Sequence, residues 1–203
     1  MCYDIDMISI DGIYEGQLII NKSKFYSFVY PITNEDEAKK YISELRARFC
    51  DSTHVCSAYM LESPRVEKAD DDGEPSGTAG KPMLELLKKR GMDNVLLVVV
   101  RYFGGIKLGA GGLVRAYTNS GNIVLDKARV VNLEVVGRYE IECDISIGSK
   151  VRDSLISNGI EIVSCVYSDR VKFEVVGEVA DTLREIYPTI KIERIGSKTV
   201  CAK

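Results

Sequence analysis

Residues 98–117 read VVVRYFGGIKLGAGGLVRAY: an aliphatic run, then five glycines within nine positions, then a helical pattern. No regular element tolerates glycine at that density, so a strand must end and a helix must begin here. Val95 to Arg101 predict a buried strand, and Leu113, Ala116, Tyr117, Ser120 and Val124 recur on one helical face. Free backbone N–H groups and the positive end of a helix dipole at such a turn suit an anion. The same glycines also serve close packing and positive φ angles, and both readings stand on sequence alone.

Two nucleotide fingerprints fail here. A phosphate loop of the form GxxxxGK[ST] finds its first spacing in Gly104 and Gly109, but Ala110 and Gly111 occupy the lysine and hydroxyl positions. The dinucleotide pattern GxGxxG fails because Gly109 and Gly111 are followed by Val114. What remains is a phosphate site built from the backbone of Gly104, Gly105, Gly109, Gly111 and Gly112 with Arg101, Lys107 and Arg115 as cations. Lys22 and Lys24 alternate with Phe25 and Tyr26 in a predicted hairpin and join this set, although such interleaving also occurs in ordinary exposed strands.

A second glycine-rich segment, DDGEPSGTAGKP at residues 71–82, also leads into a helix. It fails as a calcium loop, since Lys68 falls on the first ligand position and Ala79 on the bidentate one. The acids Asp70, Asp71, Asp72 and Glu74 are read as a hydrated run, with magnesium through water as the alternative and no metal expected. Thr78 is placed to cap the coming helix. His54, Asp71, Asp72, Glu74, Ser76, Thr78 and Lys81 are the residues that would line a site between the two glycine segments. His54 and Cys56 share one side of a predicted strand, but the orienting group and oxyanion hole that a cysteine nucleophile needs are not visible, and no catalytic residue is assigned.

The chain has 203 residues and a net charge of -3, unevenly spread. Residues 1–80 hold 8 basic and 15 acidic side chains, residues 81–130 hold 9 and 3, and residues 131–203 hold 10 and 12. A basic middle segment between acidic ones offers a local patch for phosphates, or simply the solvated faces of separate helices. The first ten residues, with two aspartates and no basic residue, do not read as a leader. The longest aliphatic run, Val95 to Val100, falls far short of the roughly 20 residues that cross a bilayer. A cytoplasmic protein is the expectation. Six scattered cysteines without a CxxC pair predict reduced, mostly buried thiols.

Glu15 to Ile20 and Lys24 to Tyr30 flank the turn Asn21-Lys22-Ser23 and predict a hairpin that Pro31 stops. Thr33 and Asn34 cap a helix whose first turn carries Glu35, Asp36 and Glu37. A strand over 54–61, a long exposed loop over 62–80 and a short helix over 82–90 follow. From Val131 the pattern changes: an extended segment to Ile147, a helix capped by Ser149 and ended by Asn158-Gly159, strands at 160–167 and 171–176, a helix over 178–187 and a last strand through Ile190 and Ile192. That βαββαβ order is the split arrangement of ferredoxin-like folds, so two domains are expected, 1–134 and 135–203. Such domains often pair through open sheet edges, which leaves monomer and homodimer both open.

Taken together, Lys22-Ser23-Lys24-Phe25, Thr53-His54, DDGEPSGTAGKP and RYFGGIKLGAGGLVRAY resemble the YigZ/IMPACT family in order and spacing, over residues near 15–130. The tail resembles the small C-terminal domain of its bacterial members. Val100 and Ala110 stand where threonine is frequent in the family, and Asn119-Ser120 where smaller residues are usual. The resemblance implies an α+β class. Its N-terminal domain would be of the type seen in the second domain of a small-subunit ribosomal protein and in domain IV of elongation factor G, followed by a ferredoxin-like C-terminal domain. Eukaryotic IMPACT regulates translation by competing for a partner of a starvation-responsive kinase, with a further N-terminal domain that the resemblance does not lead one to expect here.

The leading expectation is therefore a non-enzymatic protein associated with RNA or the ribosome, acting in translation control and needing no cofactor. Two alternatives stay open: an enzyme acting on a small phosphorylated or acylated substrate between the glycine segments, with His54 or Asp72 as base, and a pure protein-interaction regulator whose acidic first segment meets a basic partner.

Overall fold

A computed structural model describes residues 7–179 and 182–202. Its elements are β1 (Met7–Ile10), β2 (Tyr14–Ile20), β3 (Ser23–Pro31), α1 (Glu35–Arg48), β4 (His54–Glu62), β5 (Arg65–Asp70), α2 (Gly80–Lys89), β6 (Val95–Tyr102) and α3 (Gly109–Leu125), then β7 (Val130–Cys143), α4 (Ile145–Ser157), β8 (Glu161–Tyr167), β9 (Val171–Val176), α5 (Thr182–Ile186) and β10 (Lys191–Cys201). They form two units, residues 1–132 and 133–203.

In the first unit an antiparallel sheet runs β2-β3-β6-β4-β5. β6 is its middle strand, and Val95 to Val100 are buried without exception. The reason is that both sheet faces are covered. Val95, Leu97 and Val99 pack with α2 and α3, while Leu96, Val98 and Val100 pack on the side of α1. A strand with two dry faces has no polar alternation to show, which is why it reads as a continuous aliphatic run. Its last residues break that rule: Arg101 continues the α2–α3 face and lies opposite both His54 and Phe25 in the ladder.

The β2–β3 hairpin turns on Asn21 and Lys22, at φ 47° and 64°. Two consecutive left-handed residues give the two-residue turn whose twist matches the strands. Asn34 caps α1, as the sequence predicts, by accepting from the Glu37 N–H at 2.9 Å, and Glu37 returns to the Thr33 N–H at 2.7 Å, which makes the cap reciprocal.

Several expectations are corrected. The predicted loop over 62–80 contains β5, an edge strand with mostly exposed side chains that the charged run RVEKAD disguises. The segment that follows it is not a free surface loop either, because Glu74, Thr78, Ala79 and Gly80 are buried. β7 ends at Cys143, and the helix after it starts at Ile145. Asp144, accepting from the Ser146 N–H at 2.9 Å, is its cap in place of Ser149. Of the cysteines whose side chains are described, Cys56 and Cys143 are buried, Cys50 and Cys165 are exposed, and all four are free; Cys2 lies outside the described residues.

The second unit orders its strands β10-β7-β9-β8, all antiparallel, with Val151 and Leu155 of α4 and Leu183 of α5 in one core with Ile141, Phe173 and Val175. Numbered from β7, that is the 4-1-3-2 order of a ferredoxin-like domain.

Candidate functional site

The turn of the β2–β3 hairpin, the end of β6, the start of β4 and the end of β5 meet at one end of the first sheet. The segments leading into α2 and α3 leave from the same end. At its centre is a buried ionic cluster. Glu74, from the acidic segment, reaches inward and receives Arg101 Nη1 at 2.6 Å and the Tyr117 hydroxyl at 2.7 Å on the same oxygen. Glu74, Arg101 and Tyr117 are all buried. The Arg101 guanidinium sits 5.5 Å from the ring centres of both Phe25 and Phe103, and its Nη2 is 3.5 Å from Ser23 Oγ. Its Nε is buried, with no partner among the described residues.

His54 lies at the margin of this cluster. Its Nδ1 is 2.8 Å from the Asp72 carbonyl, which can only accept, so Nδ1 carries the proton; Nε2 stands 3.8 Å from the other Glu74 oxygen. Cys56 is 3.1 Å from the Asp71 carbonyl and 3.3 Å from the Tyr117 hydroxyl. Burial pushes the Cys56 thiol well above its ordinary value, with the nearby carboxylates adding to the shift, so it stays protonated and is a poor nucleophile. Burial raises the Tyr117 phenol in the same way.

The composition of residues 71–80 follows from the contacts that its acids and glycines make. Asp71 accepts from the Gly77 N–H at 2.7 Å through one oxygen, and from Ala79 and Gly80 at 2.9 and 2.8 Å through the other. It therefore occupies the positive start of α2, the role expected of Thr78, whose hydroxyl instead donates to the Pro75 carbonyl at 2.6 Å. Asp72 accepts from the Val55 N–H and pairs with Arg46 at 2.7 Å. Gly80 is held so close to β5 that a Cβ would lie 2.6 Å from the Asp70 nitrogen. The acids of the segment are structural ligands of the protein itself; Ser76 and Lys81 remain on its surface.

Burial alone would raise the Asp71 carboxyl, but the backbone N–H bonds from Gly77, Gly80 and Ala79 outweigh it and hold the group below the usual aspartate range. Its contribution to stability is thus complete above the unfolded value of about pH 4 and is lost as pH falls through the lower folded value. Asp71→Asn is expected to cost about 1–2 kcal/mol at neutral pH. Urea midpoints of wild type and variant should converge as the pH is lowered from about 6 to about 2.

The helix starts differ. That of α2 is filled by Asp71, whereas α3 begins at Gly109 without any side-chain cap. Gly105, Lys107, Gly109 and Gly111 are exposed, and no backbone carbonyl outside the helix or side chain among the described residues accepts from the amides of residues 105–109. Gly105 and Gly109 take φ angles of 83° and 69°. Gly104 serves the other reading of the glycines: its N–H donates to Ser23 Oγ at 3.1 Å, and a Cβ there would run into the Lys22 carbonyl carbon and the Ser23 nitrogen. That contact sets Lys22 of the hairpin turn beside the glycine loop. Arg101, grouped in the sequence with the phosphate cations, is turned inward onto Glu74 at 5% exposure and is not among the exposed cations of this end. Lys22, Lys24, Lys81, Lys107 and Arg115 are exposed, and none of them enters an ion pair among the described residues.

Sequence reasoning overlooked Tyr117, Ser23, Thr53, Arg46 and Phe103. One signal was available: a lone arginine closing an aliphatic strand on the same face as His54 and Cys56 needs a carboxylate, and the nearest acidic segment supplies one.

Residues 21–125 match the model of the Impact N-terminal domain, just over half of the chain. The chain belongs to the IMPACT family. It is 40% identical over 169 residues to IMPACT family member YvyE of Bacillus subtilis, covering 83% of this chain and 78% of the relative. IMPACT family member YigZ of Escherichia coli is 38% identical over 128 residues, 62% of this chain and 63% of the relative. A crystal structure of a hypothetical protein superimposes with a TM-score of 0.75 at 28% identity, covering 94% of this chain and 97% of that one. The IMPACT match spans the hairpin turn, the ionic cluster and the start of α3 together. Among the described residues no helix is long and apolar enough to cross a membrane, and no group of three His, Cys, Asp or Glu side chains is placed to hold a metal ion.

Proposed function

We propose that this IMPACT family member binds RNA phosphates, on its own or within the ribosome, through the start of α3 and the cations around it, and that it acts in translation control. The observation that carries the reading is the separation of charges at one end of the sheet. Asp71, Asp72 and Glu74 are consumed by backbone amides, Arg46 and Arg101, while Lys22, Lys24, Lys81, Lys107 and Arg115 keep their charge uncompensated. A helix start with free amides adds partial positive charge to that set. The link to translation comes from the family and not from the site.

Binding of an RNA oligonucleotide should weaken steeply with salt, since each neutralised phosphate releases counterions. Lys107→Ala and Arg115→Ala are each expected to lower the slope of log affinity against log salt by about one. A slope unchanged in both variants would remove these residues from the interface.

A further inference from the structure

Phe103 is 47% exposed, yet it is firmly held. Its N–H donates to Thr53 Oγ1 at 2.9 Å, and the next N–H, of Gly104, donates to Ser23 Oγ at 3.1 Å. Beneath the ring lies the Arg101 guanidinium, 5.5 Å from its centre and itself fixed by Glu74. Among the described residues no other aromatic ring packs on Phe103. An aromatic ring at the surface, backed by a buried cation and anchored on both sides of its backbone, is a rigid plate with one face free. Its surroundings are charged: the Lys22 backbone abuts Gly104, and the exposed Lys107 follows in the same loop. An apolar protein partner would meet those uncompensated ammonium groups at a desolvation cost, whereas a polyanion with flat π-faces satisfies ring and cations at once.

We infer that Phe103 is a stacking platform for an unpaired base of single-stranded RNA, with the flanking phosphates taken by Lys22 and Lys107. The inference rests on the RNA reading above and narrows it. A duplex keeps its bases stacked inside and offers only backbone and groove edges to such a ring.

The test compares an oligouridylate with an RNA duplex of equal length, using the full chain as wild type, Phe103→Leu and Phe103→Tyr over a series of salt concentrations. Phe103→Leu is expected to weaken the single strand about tenfold, Phe103→Tyr to restore it, and the duplex to respond to neither. The salt slope should be the same in all three proteins, because no phosphate contact is removed. Equal single-strand affinity of Phe103→Leu and wild type, or an equal loss on duplex and single strand, overturns the platform and leaves the phosphate site standing. Wild type that binds neither RNA overturns both.

Discussion

Replacing Glu74 with alanine is expected to destabilise the protein by about 3–5 kcal/mol, the range for leaving one member of a buried ion pair behind. Arg101 would keep its charge in the interior with Ser23 Oγ, at 3.5 Å, as its remaining side-chain hydrogen-bond partner among the described residues, and the Tyr117 hydroxyl would lose its acceptor. Adding Arg101→Met to Glu74→Ala should recover much of that loss, since an apolar side chain of similar length asks for no counter-charge. Denaturant unfolding of the full chain measures both. A single variant within about 1 kcal/mol of wild type would mean that water reaches the cluster and that its ionic character is unimportant.

The second large effect is expected at Gly104. Alanine there places a methyl group against the Lys22 carbonyl carbon and the Ser23 nitrogen, and backbone cannot move aside as a flexible side chain can. The cost should reach about 3 kcal/mol, the upper part of the range for overpacking. Gly105→Ala is the natural control. It has a φ of 83° but nothing within 4 Å of the added carbon, so only the left-handed strain of about 1 kcal/mol applies. A Gly104 variant no less stable than the Gly105 variant would show that the hairpin turn yields.

Much of this architecture was legible in the residues. The cap of α1 at Asn34, the aliphatic β6, the hairpin turn at Asn21 and Lys22 and the βαββαβ order of the second unit each follow from local chemistry that survives folding unchanged. β5 escaped notice because an edge strand with exposed charges lacks the apolar alternation by which strands are recognised. The start of α4 is hidden in the sequence because Asp144 follows alternating residues whose pattern runs on past the end of β7. The candidate site was half legible. Glycine and lysine marked the loop that faces outward, but the acids of residues 71–74 looked like a hydrated run, since only the folded chain brings them to Arg46, Arg101 and the start of α2. Arg101 follows the same rule: its charge alone does not say which way the side chain turns, and the fold turns it onto Glu74.

The inward acids and outward lysines also bear on how a partner would arrive. With a net charge of -3 the whole molecule is mildly repelled by a polyanion at long range, where its charges merge into one. Within about a Debye length, roughly 8 Å at physiological ionic strength, that average gives way to the local field of the cations beside α3. If the polyanion proposed above is the partner, productive collisions would thereby be selected for a single orientation before any contact is made, and the selection would fade as salt is added.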